Sequence, residues 1–158
     1  MTFAVAEVAV LVGLQASGKT TFCHRVLATH EHVSKDAWPN AKRRQARQLR
    51  LIHEALAAGR DVVVDNTNPS AQEWQPLIAA ARAHGARVVA YWFPPDVALS
   101  RSRNALREGR TRVPDVGFHA TLKRLRQPTL ADGFDAVFTV RPDGRGGFDV
   151  RPLEQNPP

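Results

Sequence analysis

Gly13-Leu14-Gln15-Ala16-Ser17-Gly18-Lys19-Thr20 carries the spacing G-x-x-x-x-G-K-[ST], which belongs to loops that wrap phosphate groups. The glycines let the backbone turn so that successive amide hydrogens aim inward, and a helix beginning at the loop's end adds its positive pole. The chemistry implied is the binding of a nucleoside triphosphate, ATP or a related NTP. Gly13, Gln15, Ala16, Ser17, Gly18 and Thr21 would line the phosphates, Lys19 would reach the β and γ phosphoryl groups, and the Thr20 hydroxyl would ligate Mg2+. The competing account, a strand-to-helix turn with a fortuitous lysine, is disfavoured because an apolar strand precedes the loop and a helix follows it.

Two aspartates and a group of arginines could complete such a site. Asp36, in His32-Val33-Ser34-Lys35-Asp36-Ala37-Trp38, is expected at the end of a short strand, where a carboxylate could take the proton of an attacking hydroxyl. Read locally, it fits a helix cap or a surface aspartate as well. Asp65 closes the strand Val62-Val63-Val64 and stands where a carboxylate meets the metal ion directly or through water. A turn role shared with Asn66 and Asn68 is compatible with that. Arg101, Arg103, Arg107, Arg110 and Arg112 crowd one helix and the loop after it, with Glu108 as the nearby carboxylate. Arg103 and Arg107 are four apart and are expected on one helix face, placed to neutralise the charge of a transferring phosphoryl group.

The elements that must position these residues alternate. Strands are expected at 6–12, around Val33 and up to Asp36, at 62–64 and at 88–93. Helices are expected from Lys19 to about Thr29, from an Asn40 cap to about Ala58, and from a Ser70 cap to Gly85. Residues 96–127 read as helical with a break at 109–114, and 136–140 with 148–150 as a hairpin. Strand–helix alternation implies right-handed crossovers and a parallel sheet covered on both faces. With the phosphate loop, the fold class is α/β, a three-layer P-loop NTPase or kinase fold with a parallel central sheet and a helical lid at about 96–127. Ligands of such sheets bind at the carboxyl ends of the strands, where the glycine turn, Asp36 and Asp65 all fall. The 158 residues are expected to form one domain, 1–158.

Composition narrows the partners. Twenty-two basic residues against fifteen acidic ones leave a net charge of +7, concentrated in two stretches. Residues 40–60 hold six basic side chains against Glu54 alone, and residues 96–127 hold eight against Asp96, Glu108 and Asp115. Unopposed stretches of this kind suit a polyanion. The single cysteine, Cys23, rules out an intrachain disulfide or a cluster of several thiolates and suits a reducing, cytoplasmic compartment; it reads as a small buried hydrophobe. The histidines show no metal-ligand spacing. The apolar run Val8–Leu14 is too short to span a bilayer, so no membrane role is expected. Trp74 and Trp92 read as core; Trp38, two residues past Asp36, suits either base stacking or packing.

Taken in order, the glycine loop, His32-Val33-Ser34-Lys35-Asp36, Val63-Val64-Asp65-Asn66-Thr67-Asn68-Pro69, Arg103-Asn104-Ala105-Leu106-Arg107-Glu108, Val113-Pro114-Asp115 and Gln127-Pro128-Thr129-Leu130-Ala131-Asp132-Gly133-Phe134 resemble the 5′-polynucleotide kinases over almost the whole chain. The resemblance implies transfer of the γ phosphate of ATP or another NTP to the 5′-hydroxyl of DNA or RNA. It makes Asp36 the general base, Arg107 the lid residue on the donor phosphates and Arg103 its partner. One position departs: where several such kinases place an arginine for the acceptor's 3′ phosphate, three residues past the base, this chain has Pro39, leaving Lys42, Arg43 or Arg44 as substitutes. A kinase of a small metabolite or nucleoside, and a nucleotide-dependent nucleic-acid-binding ATPase, are the alternatives. Oligomeric state is not legible.

Overall fold

A computed structural model describes residues 5–153. β1 (Glu7–Val12) leads into the glycine loop and α1 (Lys19–Val26). β2 (Glu31–Val33) is followed by a 3-10 turn at Lys35–Ala37 and α2 (Arg44–Ala57). Then come β3 (Val62–Val64), α3 (Ala71–Ala83) and β4 (Arg87–Trp92). α4 (Val97–Ala105), α5 (Asp115–Arg124), β5 (Ala136–Pro142) and β6 (Phe148–Pro152) complete the chain.

The sheet order is β2-β3-β1-β4-β5-β6. All pairings are parallel except β5 with β6, which closes the edge as an antiparallel hairpin. β1 lies in the middle, and its alternate residues feed two cores. Val8, Val10 and Val12 pack with Ile52 and Leu56 of α2 and Trp74 and Leu77 of α3. Ala9 and Leu11 pack with Phe22, Cys23 and Leu27 of the α1 segment and with Phe93. Both faces are thus covered, as a strand apolar on both sides requires. The three layers put the phosphate loop at the carboxyl edge of the sheet.

Two expectations are corrected. β2 ends at Val33, three residues short of Asp36: Ser34 accepts a hydrogen bond from the Asp36 amide (3.2 Å) and turns the chain into the 3-10 segment. Asn40 does not cap α2; Arg43, at φ 58°, precedes its first residue. A turn from Trp38, whose carbonyl accepts from the Ala41 amide at 3.1 Å, occupies what was read as the helix's first turn.

α3 begins as expected at Ser70, whose amide and hydroxyl donate to Glu73 Oε2 at 3.0 and 2.7 Å. Arg124 of α5 reaches the other Glu73 oxygen and ties α5 to this helix start. Burial alone would raise the Glu73 carboxyl, but the Ser70 hydrogen bonds and the Arg124 guanidinium hold it below its usual 4.5. A carboxylate depressed on folding stabilises above its unfolded value and loses that contribution as pH falls through the folded one. Urea titrations should therefore show Glu73→Gln less stable than the parent protein at neutral pH, with the difference shrinking on acidification below pH 4.5.

Candidate active site

The loop after β1 takes its shape from close packing and two left-handed residues. A Cβ added to Gly13 would sit 2.8 Å from Phe93 Cβ, so steric room decides that glycine. The left-handed positions are Gly18 (φ 95°) and, unexpectedly, Ala16 (φ 58°), a conformation that costs a non-glycine residue about 1 kcal/mol or more. Lys19, the first residue of α1, folds back so that its ammonium donates to the carbonyls of Gly13 (3.1 Å) and Leu14 and to Ser17 Oγ (3.3 Å). Burial pushes this ammonium down to about 8; the Asp65 and Asp36 carboxylates counter that and the Arg107 guanidinium adds to it.

Asp65, 5% exposed, gathers residues from three elements. Its Oδ2 accepts from the Thr20 hydroxyl at 2.8 Å and lies 2.8 Å from His32 Nε2. Burial disfavours the charged carboxylate, but the His32 and Thr20 hydrogen bonds and the Lys19 charge outweigh it and hold Asp65 below its ordinary value. The same contact raises His32. Cys23 of α1 also faces Asp65; burial and that carboxylate push its thiol up to about 12. Thr20 and Asp65 present hard oxygen donors beside Lys19, a donor set that suits magnesium.

The asparagines after Asp65 were read only as turn formers, and they prove to be the clamp of the site. Asn66 Oδ1 accepts from the Lys35 amide (2.9 Å) and its Nδ2 donates to the buried Gln48 (2.8 Å), fastening the Asp36 turn and α2 to the end of β3. The Gly13 amide donates to Thr67 O (3.0 Å). Asn68, at φ 42°, sends its amide to Leu11 O (2.8 Å), while its own carbonyl accepts from Trp74 Nε1 (2.6 Å). Asn68→Ala leaves the Leu11 carbonyl without this donor and should cost about 1–3 kcal/mol, read as a lower urea midpoint with unchanged slope.

A cavity of about 780 Å³ opens over this floor. Gln15, Ala16, Ser17, Gly18, Lys19, Thr20 and Thr21 line it, and so do Asp36 and Asp65. Gly13 lies beneath, contributing its carbonyl to Lys19. Lys35, Arg44, Arg107 and Arg124 also line the cavity, together with Glu73, whereas Lys42 and Arg43 do not. Arg44 donates to Lys35 O (3.4 Å), and burial and the Arg44 charge lower the Lys35 ammonium. Trp38 packs against the core cluster, and the Arg47 guanidinium covers its ring at 4.5 Å. Packing, then, is the role of Trp38 that the structure displays.

The arginine segment differs from its expectation. α4 stops at Ala105, so Arg103 and Arg107 do not share a helix face. The Asn104 side chain bonds both the carbonyl (2.8 Å) and the amide (2.9 Å) of Val113, folding the chain back before α5. Arg107 lies in the loop so formed and lines the main cavity, donating to Thr111 O at 3.2 Å. Arg103 lines instead a neighbouring pocket of about 520 Å³, with Ser17, Pro94, Leu99, Pro142 and Phe148. Its Nη1 and the Phe148 ring stand against Gly18, 3.7 and 3.6 Å from where a Cβ would be. The two arginines thus flank the phosphate loop from different pockets. Gln15 Nε2 donates to Thr121 Oγ1 (2.8 Å), joining the loop to α5, a contact no sequence signal announced.

Residues 8–128 match the family described as AAA domain. The chain belongs to this AAA-domain family. Within it, the sequence is 27% identical over 139 residues to the bifunctional polynucleotide phosphatase/kinase of Schizosaccharomyces pombe, covering 85% of this chain and 33% of that protein. The chain spans about a third of the length of the curated relatives it matches. Two solved structures share the fold of this AAA domain. One is Kti12 from Chaetomium thermophilum in complex with ADP-AlF3, with a TM-score of 0.69, 16% identity and coverage of 86% of this chain and 89% of that one. The other is a fungal RNA kinase, with a TM-score of 0.65, 16% identity and coverage of 88% and 39%. Among the described residues no helix is long and apolar enough to cross a membrane.

Proposed function

We propose that this AAA domain is an ATP- or NTP-dependent phosphotransferase, a kinase that moves the γ phosphate to the 5′-hydroxyl end of DNA or RNA. The observation that carries this reading is one cavity lined together by the phosphate loop, Asp65, Arg107, Asp36 and the cations Lys35 and Arg44. A carboxylate that shares a cavity with the phosphate loop and with cations suited to a phosphorylated acceptor is what transfer to such an acceptor requires. The similarity to a polynucleotide phosphatase/kinase supports the same acceptor class.

In this reading the triphosphate lies along the loop amides at the start of α1, with Lys19 turned from the Gly13 and Leu14 carbonyls onto the β and γ phosphates. Thr20 and Asp65 would hold Mg2+, which would supply charge neutralisation on those phosphates. The donor's base and ribose take the neighbouring pocket beside Phe148 and Arg103. Arg107, free of any ion pair among the described residues, stabilises the charge of the transferring group. Asp36 accepts the proton of the attacking 5′-hydroxyl as its oxygen bonds to the γ phosphorus and the nucleoside diphosphate leaves. Arg44 is the substitute for the cation missing at Pro39, and the exposed cations of 40–60 follow the acceptor's backbone. Arg50 and Arg60 of that stretch are partly engaged with Glu54 (3.9 Å) and Glu31 (3.5 Å), so Lys42, Arg43, Arg44 and Arg47 carry more of this role.

The test is incubation with γ-labelled nucleotide, magnesium and a 5′-hydroxyl oligonucleotide, beside a panel of small alcohols and a sample without acceptor. Label on the oligonucleotide, with affinity falling steeply as salt rises, is the expected result. Label only on a small alcohol, or phosphate release without a labelled acceptor, would reassign the cavity.

A further inference from the structure

Cys23, His32 and Asp65 come from α1, the end of β2 and the end of β3, and no spacing in the sequence connects them. In the fold a ligand atom of each, sulfur, ring nitrogen and carboxylate oxygen, lies within 4.8 Å of the other two. His32 Nε2 is already 2.8 Å from Asp65 Oδ2. A tetrahedral zinc ion, with bonds of about 2.0–2.3 Å, sets its ligand atoms about 3.3–3.7 Å apart. The three atoms already lie about as close as that geometry requires, with the His32–Asp65 pair closer still.

We propose that Cys23, His32 and Asp65 form a second metal site, selective for zinc or a similarly thiophilic divalent ion, whose occupation withdraws Asp65 from Thr20 and so opposes magnesium–nucleotide binding. The donor set argues for the ion. A thiolate and an imidazole suit zinc and do not suit magnesium, which demands oxygen ligands in near-octahedral array. Access argues for exchange with solvent: the thiol is buried, but the His32 side chain is 38% exposed, and the exposed His24 ring stacks on it with centroids 5.8 Å apart. Solvent supplies the fourth ligand from that side. A coordinating divalent ion binds the thiolate and releases the thiol proton to water.

The consequence follows from one shared atom. Asp65 Oδ2 accepts the Thr20 hydroxyl, and the same carboxylate would be a zinc ligand. An ion held by Cys23 and His32 draws that carboxylate toward the β2 side and leaves Thr20 without its partner. Zinc is therefore an inhibitor acting from behind the phosphate loop rather than a substitute for magnesium within it. This inhibitory part rests on the kinase reading; the existence of the site does not.

Cadmium titrated into the nucleotide-free protein tests the site directly, because Cys23 is the chain's single cysteine and the thiolate-to-cadmium charge-transfer band reports on it alone. The expected result is a band saturating at one equivalent, bleached by added zinc and lost in Cys23→Ala. Zinc affinity, measured against a chromophoric chelator, should fall in both Cys23→Ala and His32→Gln by more than the roughly 100-fold that removing a mere hydrogen-bond partner of a ligand costs. Zinc should weaken magnesium–nucleotide binding in the parent protein, measured by fluorescent-nucleotide displacement, and fail to do so in Cys23→Ala, whose nucleotide affinity in magnesium alone is unchanged. No band in the parent protein, or zinc affinity indifferent to both substitutions, overturns the site. Zinc binding that leaves magnesium–nucleotide affinity untouched overturns the antagonism. None of these readouts uses an acceptor, so failure of the oligonucleotide assay would leave them interpretable.

Discussion

Lys19→Ala abolishes transfer to every acceptor while the protein still folds. The ammonium is the one buried cation on the phosphate loop, surrounded by the Gly13 and Leu14 carbonyls and the Asp65 carboxylate. The Gly13 and Leu14 carbonyls hold it in the structure, and in the proposed reaction it is the charge that would meet the β and γ phosphates. Losing a preorganised cation on a transferring phosphoryl group costs on the order of 10³-fold or more in rate. Arginine at this position would not restore activity, since a planar fork cannot occupy a space shaped for a compact ammonium. Single-turnover transfer measured beside a thermal melt separates the two effects: lost transfer with an intact melt is expected, and transfer within a few-fold of the parent protein would remove Lys19 from the chemistry.

Asp36→Ala loses about 10²-fold or more in transfer with nucleotide affinity preserved. The residue sits on the 3-10 turn after β2, exposed, lining the same cavity as the loop, and its carboxylate is near enough to Lys19 to influence that ammonium. The turn is held by the Ser34 cap and by Asn66, contacts made by main-chain amides rather than by the Asp36 side chain, so truncation should not collapse it. Asp36→Asn keeps the size and removes the basicity, and should match the alanine variant. Equal losses of nucleotide binding and transfer would mean that Asp36 shapes the site rather than acts in it.

The order of residues along the chain carries part of this architecture directly. Val62–Val64, Ala6–Val12 and the residues of β4 are apolar on both faces, and the glycine loop sits between a strand and a helix. Such patterns depend only on neighbours along the chain, so the parallel α/β sheet, the Ser70 start of α3 and the β5–β6 hairpin were legible. Boundaries slipped where a bond outside the helix pattern intervened: α4 ends early where the Asn104 side chain binds Val113, which separates Arg103 from Arg107, and α2 starts late because the backbone turn from Trp38 to Ala41 consumes its first residues.

The phosphate-loop pattern around Lys19 and Thr20 was legible in the sequence itself, because phosphate wrapping needs particular residue types at fixed spacing. Only the tertiary structure decided that Asn66 and Asn68 clamp the cavity, that Arg44 rather than Lys42 or Arg43 reaches it, and that Cys23 and His32 converge on Asp65. Those relations join residues on different strands and helices. Their distances are set by how the elements pack across the sheet, a quantity that no periodicity along the chain encodes.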